Sequence, residues 1–123
     1  MAYYRTGGGG DIEYKLLGDI SISSTTAKTL YLNESIKNYK YLLITMYAVQ
    51  TGDFFVGSGC LMPILFFVTP TYFENNVLSG TWVTGNSGTQ TSNTSTFTYV
   101  SDTSLKIKNP VATARHFYVY GFK

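Results

Sequence analysis

The groups that could do covalent or metal chemistry are few. There is one histidine, His116, one cysteine, Cys60, and seven carboxylates: Asp11, Glu13, Asp19, Glu34, Asp53, Glu74 and Asp102. A reactive thiol needs a base or a positive field nearby to ionise it. Cys60 instead stands between Gly59 and Leu61-Met62, and its nearest charge along the chain is Asp53, seven positions away. Those surroundings suit an inert small hydrophobe. A Cys60–His116 nucleophile pair is arithmetically open, but no motif flanks either residue. Zinc takes about three or four His, Cys or carboxylate ligands, and one His with one Cys offers no such spacing. The Asp-rich, glycine-centred calcium loop is absent as well. Glycoside cleavage by paired carboxylates needs one acid raised in pKa by a dry pocket. Six of the seven acids lie in or beside expected turns or the glycine stretch, where carboxylates are solvated. The expectation is a protein with no catalytic residue, no metal and no cofactor, a glycan hydrolase being the distant alternative.

What remains is a surface for association. Charged residues make up 13% of the chain, while Tyr and Phe number 11 and 8. Aromatic and β-branched side chains fit a pleated, half-buried surface, so the mixture favours strands. Low charge also weakens the usual guard against self-association. The nine basic residues are scattered and form no phosphate-binding stripe, which argues against nucleic acid. No apolar run reaches the roughly 18 residues of a membrane span. The N-terminus lacks the basic start and apolar core of a signal peptide, so synthesis in the cytoplasm without membrane insertion is expected.

The elements that must position these groups are strands. With 123 residues the chain suits one domain. Gly7 to Gly10 hold neither strand nor helix cheaply, so residues 1–10 are set apart as a peptide and linker, and residues 11–123 as the β domain. Met1–Thr6 is either a frayed end or a docking peptide anchored by Tyr3, Tyr4 and Arg5. Ile20 and Ile22 alternate with Ser21 and Ser23 in a strand closing at Leu30-Tyr31-Leu32, and Asn33–Asn38 turns the chain. Tyr41–Val49 is the strongest strand, apolar on both faces; helix is its rival, and aromatic and β-branched content decides for strand. Further strands are expected at Met62–Val68, Val77–Thr84, around Phe97 and Tyr99, around Leu105 and Ile107, and at His116–Phe122. The polar stretch Gly85–Asn93 reads as a loop.

The sum is an all-β, antiparallel sandwich or jelly-roll-like fold of about eight strands. In the doubly apolar strands the second face is either covered by loops or forms an oligomer interface. The latter reading selects Tyr41, Leu43, Tyr47, His116, Tyr118, Tyr120 and Phe122, and with it a homotrimer.

Two segments carry a family resemblance. Leu30-Tyr31-Leu32-Asn33-Glu34-Ser35-Ile36-Lys37-Asn38-Tyr39-Lys40-Tyr41-Leu42-Leu43-Ile44 and Phe117-Tyr118-Val119-Tyr120-Gly121-Phe122-Lys123 resemble bacteriophage tail-fibre, head-fibre and receptor-binding β domains. The resemblance implies a compact, usually trimeric module on the virion surface, facing the host. Attachment to other virion proteins would then run through Tyr3, Tyr4 and Arg5. A host glycan would be held by aromatic faces and loop amides, at Tyr72, Asn75, Asn76, Trp82 and Asn86, where structural roles compete. The chain departs from the pattern in having a six-residue head before the glycines and no fibre shaft. That leaves a purely structural capsid or baseplate decoration protein as the alternative.

Overall fold

The computed structural model describes residues 3–5, 12–54, 60–86 and 88–123, with the side chains at 3–5, 53–54, 60–61 and 86 outside that description. In chain order the elements are β1 (Tyr3–Arg5), β2 (Glu13–Ile22), β3 (Lys28–Tyr31), a single 3-10 turn (Ile36–Asn38), β4 (Tyr41–Thr45), β5 (Tyr47–Ala48) and β6 (Asp53–Phe54). There follow β7 (Cys60–Met62), β8 (Leu65–Val68), the short helix α1 (Pro70–Asn75), β9 (Leu78–Asn86), β10 (Thr89–Ser101), β11 (Ser104–Lys108) and β12 (Arg115–Phe122). Sheet one runs β1-β2-β12-β4-β8 and sheet two β3-β11-β10-β9-β7, with β5 and β6 as a separate ribbon. All the described pairings are antiparallel. The fold is an all-β sandwich.

Period-two alternation builds its core. Ile22 of β2, Leu42 and Ile44 of β4, and Phe117 and Val119 of β12 are buried on the inner face of sheet one, and the register shift between Val119 and Tyr120 leaves Leu17 of β2 buried as the extra residue between Leu16 and Gly18. Leu30, Leu78, Trp82, Phe97, Leu105 and Ile107 answer them from sheet two. Phe97 packs edge-on against Phe117 at 5.7 Å and against Phe66 at 6.0 Å, which ties the two layers together.

Several expectations are corrected. The strand expected from Tyr41 to Val49 ends at Thr45; Met46 bends inward and donates its N–H to Ile64 O at 3.3 Å, and the chain then enters β5. The strand from Ile20 to Leu32 is two strands in different sheets, separated by the turn at 23–27. Met62–Val68 likewise divides, β7 lying in sheet two and β8 in sheet one, because Pro63 cannot donate to a ladder. Gly85–Asn86 and Thr89–Asn93 are strand, not loop. Cross-strand pairs continue from Phe97↔Leu78 out to Thr89↔Asn86, so the polar stretch is a ribbon of paired Thr, Ser and Asn. At its tip Gly85 takes φ +144° and Gly88 φ +94°, regions that favour glycine. Thr69 caps α1 by accepting the Tyr72 N–H at 3.1 Å, with Pro70 opening the helix.

Candidate functional site

α1 brings three of the sequence-selected residues to one place. Its Phe73 sits edge-on to Tyr99 of β10, ring centres 6.1 Å apart. Between helix and strand lies a shallow depression of about 160 Å³, lined by Asn75, Asn76, Val77, Thr98 and Tyr99 among others. Tyr72 is exposed on the same helix. Asn75 Nδ2 donates to Thr71 O at 2.8 Å and Asn76 Nδ2 to Tyr72 O at 2.9 Å. Each amide nitrogen spends one N–H on the helix, so its second N–H and the amide oxygen are what a ligand would meet.

The rim is fixed by charge. Lys37 Nζ pairs with Glu74 Oε1, and that carboxylate raises the lysine pKa. Tyr99 Oη donates to Asp102 Oδ1 at 2.7 Å; the bond to Asp102 pushes the phenol up to about 12, helped by desolvation and by the Asp102 and Glu74 charges. The phenol thus keeps its proton and the ammonium its charge through the neutral range. Such a depression offers acceptors and an aromatic wall to hydroxyl groups. Lys37, Glu74, Tyr99 and Asp102 are not selected by sequence reasoning, because what joins them is contact between α1, the 3-10 turn and the β10–β11 hairpin.

A second surface covers the outer face of sheet one. Tyr41 stacks on Phe67 at 5.0 Å, Phe67 meets Phe122 edge-on at 5.3 Å, and Phe122 stacks on Tyr14 at 5.3 Å. Tyr14 then meets Tyr120 at 6.1 Å, Tyr120 lies 6.3 Å from Tyr118, and Tyr118 stacks on His116 at 4.6 Å. One ladder of rings crosses β8, β4, β12 and β2. Its two ends differ. Tyr120 is fully buried, and its hydroxyl donates to Gln50 Oε1 and accepts the Val49 N–H at 2.9 Å. At the other end Tyr41, Leu65 and Phe67 are exposed at 44%, 62% and 55%. Leu43, Tyr118 and Phe122 lie between these extremes, as does Tyr47 on its separate ribbon. Loop cover therefore explains Tyr120, and the open end is what an interface could use.

The other selected residues fall elsewhere. Trp82 is corrected: it is fully buried, its indole N–H donates to Ser95 Oγ at 2.9 Å, and the Arg115 guanidinium lies 5.1 Å from its ring. No ligand reaches it in the folded chain. Asn86 closes the β9 ladder opposite Thr89, and its side chain lies outside the description. The backbone of Tyr3-Tyr4-Arg5 pairs with β2 in the register Tyr3↔Lys15 to Arg5↔Glu13, while Gly7–Gly10 fall outside the described residues. His116 Nε2 stands 2.6 Å from Asp19 Oδ2. Glu34 is bound to Lys15 at 2.7 Å, and that bond, joined by others from Tyr39 and Asn38, outweighs desolvation and lowers its pKa to about 2. Among the described residues no group of three or more His, Cys, Asp and Glu could hold a metal ion. No helix of the described chain is long and apolar enough to cross a membrane.

Comparison with protein-family models, curated proteins and solved structures finds no match to this chain.

Proposed function

We propose that this chain is a non-enzymatic structural module of a phage virion surface, of the fibre or receptor-binding kind, which associates with its own copies and displays a weak glycan-binding face. The observation that carries the self-association is the open end of the ring ladder, where Tyr41, Leu65 and Phe67 stand together and exposed. Monomeric proteins rarely leave large, contiguous apolar patches in water without a use for them.

The resemblance in segments 30–44 and 117–123 supports the fibre reading. The segments meet as neighbouring strands, from Phe122↔Tyr41 to Val119↔Ile44. Tyr39 of the first lies against Gly121 of the second, and Lys40 N–H donates to Phe122 O at 2.9 Å. The glycan face is the depression beside α1, with Asn75, Asn76 and Tyr72 as contacts. Its shallowness is what favours the second reading, a decoration protein of capsid or baseplate that binds no receptor.

Labelling the protein on assembled particles, together with glycan-array binding of the purified chain, tests both. Label on a particle with glycan binding lost in Asn75→Ala/Asn76→Ala supports the first reading. Label without any glycan binding supports the second, and failure to label any particle overturns both.

A further inference from the structure

We infer that β8 is the contact between copies, pairing antiparallel with β8 of a second chain about a two-fold axis. This rests on the self-association proposed above and names its strand and register. β8 is the last strand of sheet one, with β4 on one side and, among the described residues, no strand on the other. The bond from Met46 N–H to Ile64 O makes 46↔64 a hydrogen-bonded pair. Along an antiparallel ladder bonded and non-bonded pairs alternate. Ile44↔Phe66 and Leu42↔Val68 are therefore bonded pairs, whereas Thr45↔Leu65 and Leu43↔Phe67 are not. The N–H and C=O of Leu65 and Phe67 point away from β4, and the same two residues carry the exposed side chains.

An exposed apolar edge of this kind is a template for another strand, and proteins that must avoid pairing guard it with charge. Here residues 54–73 contain no charged side chain. The strand itself brings no like charge against its copy. The symmetric register that sets Leu65 opposite Phe67 of the second copy satisfies all the outward groups of both residues on both chains. It also places Leu65 against Phe67 twice on the outer face, and Phe66 beside Phe66 on the inner. A shift of the register in either direction brings Pro63, which has no N–H, or Thr69, whose C=O already accepts the Phe73 N–H at 3.1 Å, opposite an outward residue. The inner side also has room: a groove of about 440 Å³ lined by Met62, Ile64, Phe66 and Gly80 opens where β8 parts from β9.

The size of the contact sets its strength. Met62, Leu65, Phe67 and Tyr41 are each exposed by 44–62%. Side chains of this size present roughly 150–250 Å² when free, so together they can bury on the order of 400 Å² per chain. A stable interface takes about 800 Å² per partner. The pairing is accordingly a reversible one, populated at micromolar to millimolar concentration, and it makes a dimer the smallest assembly where the family resemblance implies a trimer.

Sedimentation equilibrium across that range, with amide hydrogen exchange on the same samples, tests it. The expected result is a monomer–dimer equilibrium in which the Leu65 and Phe67 amides gain protection as dimer forms. Phe67→Lys should weaken dimerisation about tenfold or more, while Val100→Lys, at a residue of similar exposure on sheet two, should leave it unchanged. Folding of both variants is checked by their melting curves. An oligomer whose Leu65 and Phe67 amides stay unprotected, or a trimer, overturns the edge pairing and leaves self-association standing. A monomer at every concentration overturns both.

Discussion

Gly121→Ala should destabilise the fold through a single contact. A Cβ at this position would lie 2.5 Å from Cγ, 2.6 Å from Cδ1 and 2.7 Å from Cδ2 of Tyr39. Carbon atoms in favourable contact sit about 3.5–4.0 Å apart, so the ring must retreat by roughly 1 Å. It has little freedom to do so. Tyr39 is 5% exposed, its N–H donates to Ile36 O at 3.2 Å, its side chain bonds Glu34, and Lys123 Nζ lies 5.8 Å from its ring. Overpacking of a tight site costs about 1–3 kcal/mol. The opposing gain is the smaller freedom of alanine in the unfolded chain, about 0.4–1 kcal/mol, which applies because Gly121 is not at positive φ. The net loss is about 1–2 kcal/mol, or roughly 4–8 °C in Tm at about 4 °C per kcal/mol.

Urea denaturation and calorimetry of wild type, Gly121→Ala, Tyr39→Ala and the double variant measure it. Tyr39→Ala alone should cost about 3–5 kcal/mol by analogy with other aromatic truncations. In that background the added methyl should be neutral or stabilising, giving a coupling of about 1–3 kcal/mol. If Gly121→Ala matches or exceeds wild type, or if its cost survives undiminished in Tyr39→Ala, the close approach of ring and backbone is refuted.

Ser95→Ala leaves the buried Trp82 indole N–H without its acceptor and should cost about 1–3 kcal/mol, read as a lower urea midpoint with unchanged m-value. Glu34 has its pKa lowered from 4.5 to about 2, so its contribution is complete above pH 4.5 and is lost as pH falls toward 2. Partial exposure of the pair limits that contribution to about 1 kcal/mol or less, and Glu34→Gln should flatten the stability profile across that window while leaving its shape above it unchanged. Deleting residues 1–6 removes the edge strand β1 but no described core side chain. The truncated chain should therefore melt within a few degrees of the full one; a collapse of the transition would show β1 to be integral to the sandwich.

Much of the fold is written in short-range patterns. Leu42, Ile44 and Met46 alternate with Tyr41, Leu43 and Thr45, and the structure buries the first set in the core. The end of β4 is not legible in the same way, because Tyr47 leaves the ladder, its N–H turned back to Thr45 Oγ1 at 3.0 Å, and pairs with β6 instead. The β9–β10 ribbon escapes for a different reason. Thr89, Thr91 and Thr94 are β-branched and suit strands, but the exposure of consecutive residues there erases the hydrophobic period that marks a strand. Trp82 is the opposite case. Leu78, Gly80 and Trp82 share one face by the period of two, and that face is the core. Asn75, Asn76 and Tyr72 are reached through the turn chemistry after Pro70, whereas Tyr99 and Asp102 are not. Their role depends on a hairpin tip meeting a helix, which no local pattern encodes.

Of the two readings of a strand that is apolar on both faces, cover by the chain itself accounts for one part of the outer face of β12. β12 carries Phe117 and Val119 inward, and Tyr118, Tyr120 and Phe122 outward. Over Tyr120 the chain folds back after β5, and Val49 and Gln50 engage its hydroxyl, so the outer face there is finished within one molecule. Beyond it His116 and Asp19 place an acid and an imidazole on the face. Toward Phe122 no such cover is seen among the described residues: the rings run on through Phe67 to Tyr41, where exposure rises. Apolar area alone would let copies stick anywhere along this face. Cover at one end, polarity beside it and an unpaired backbone edge at the other would confine the proposed contact to β8 and give it a direction and a register.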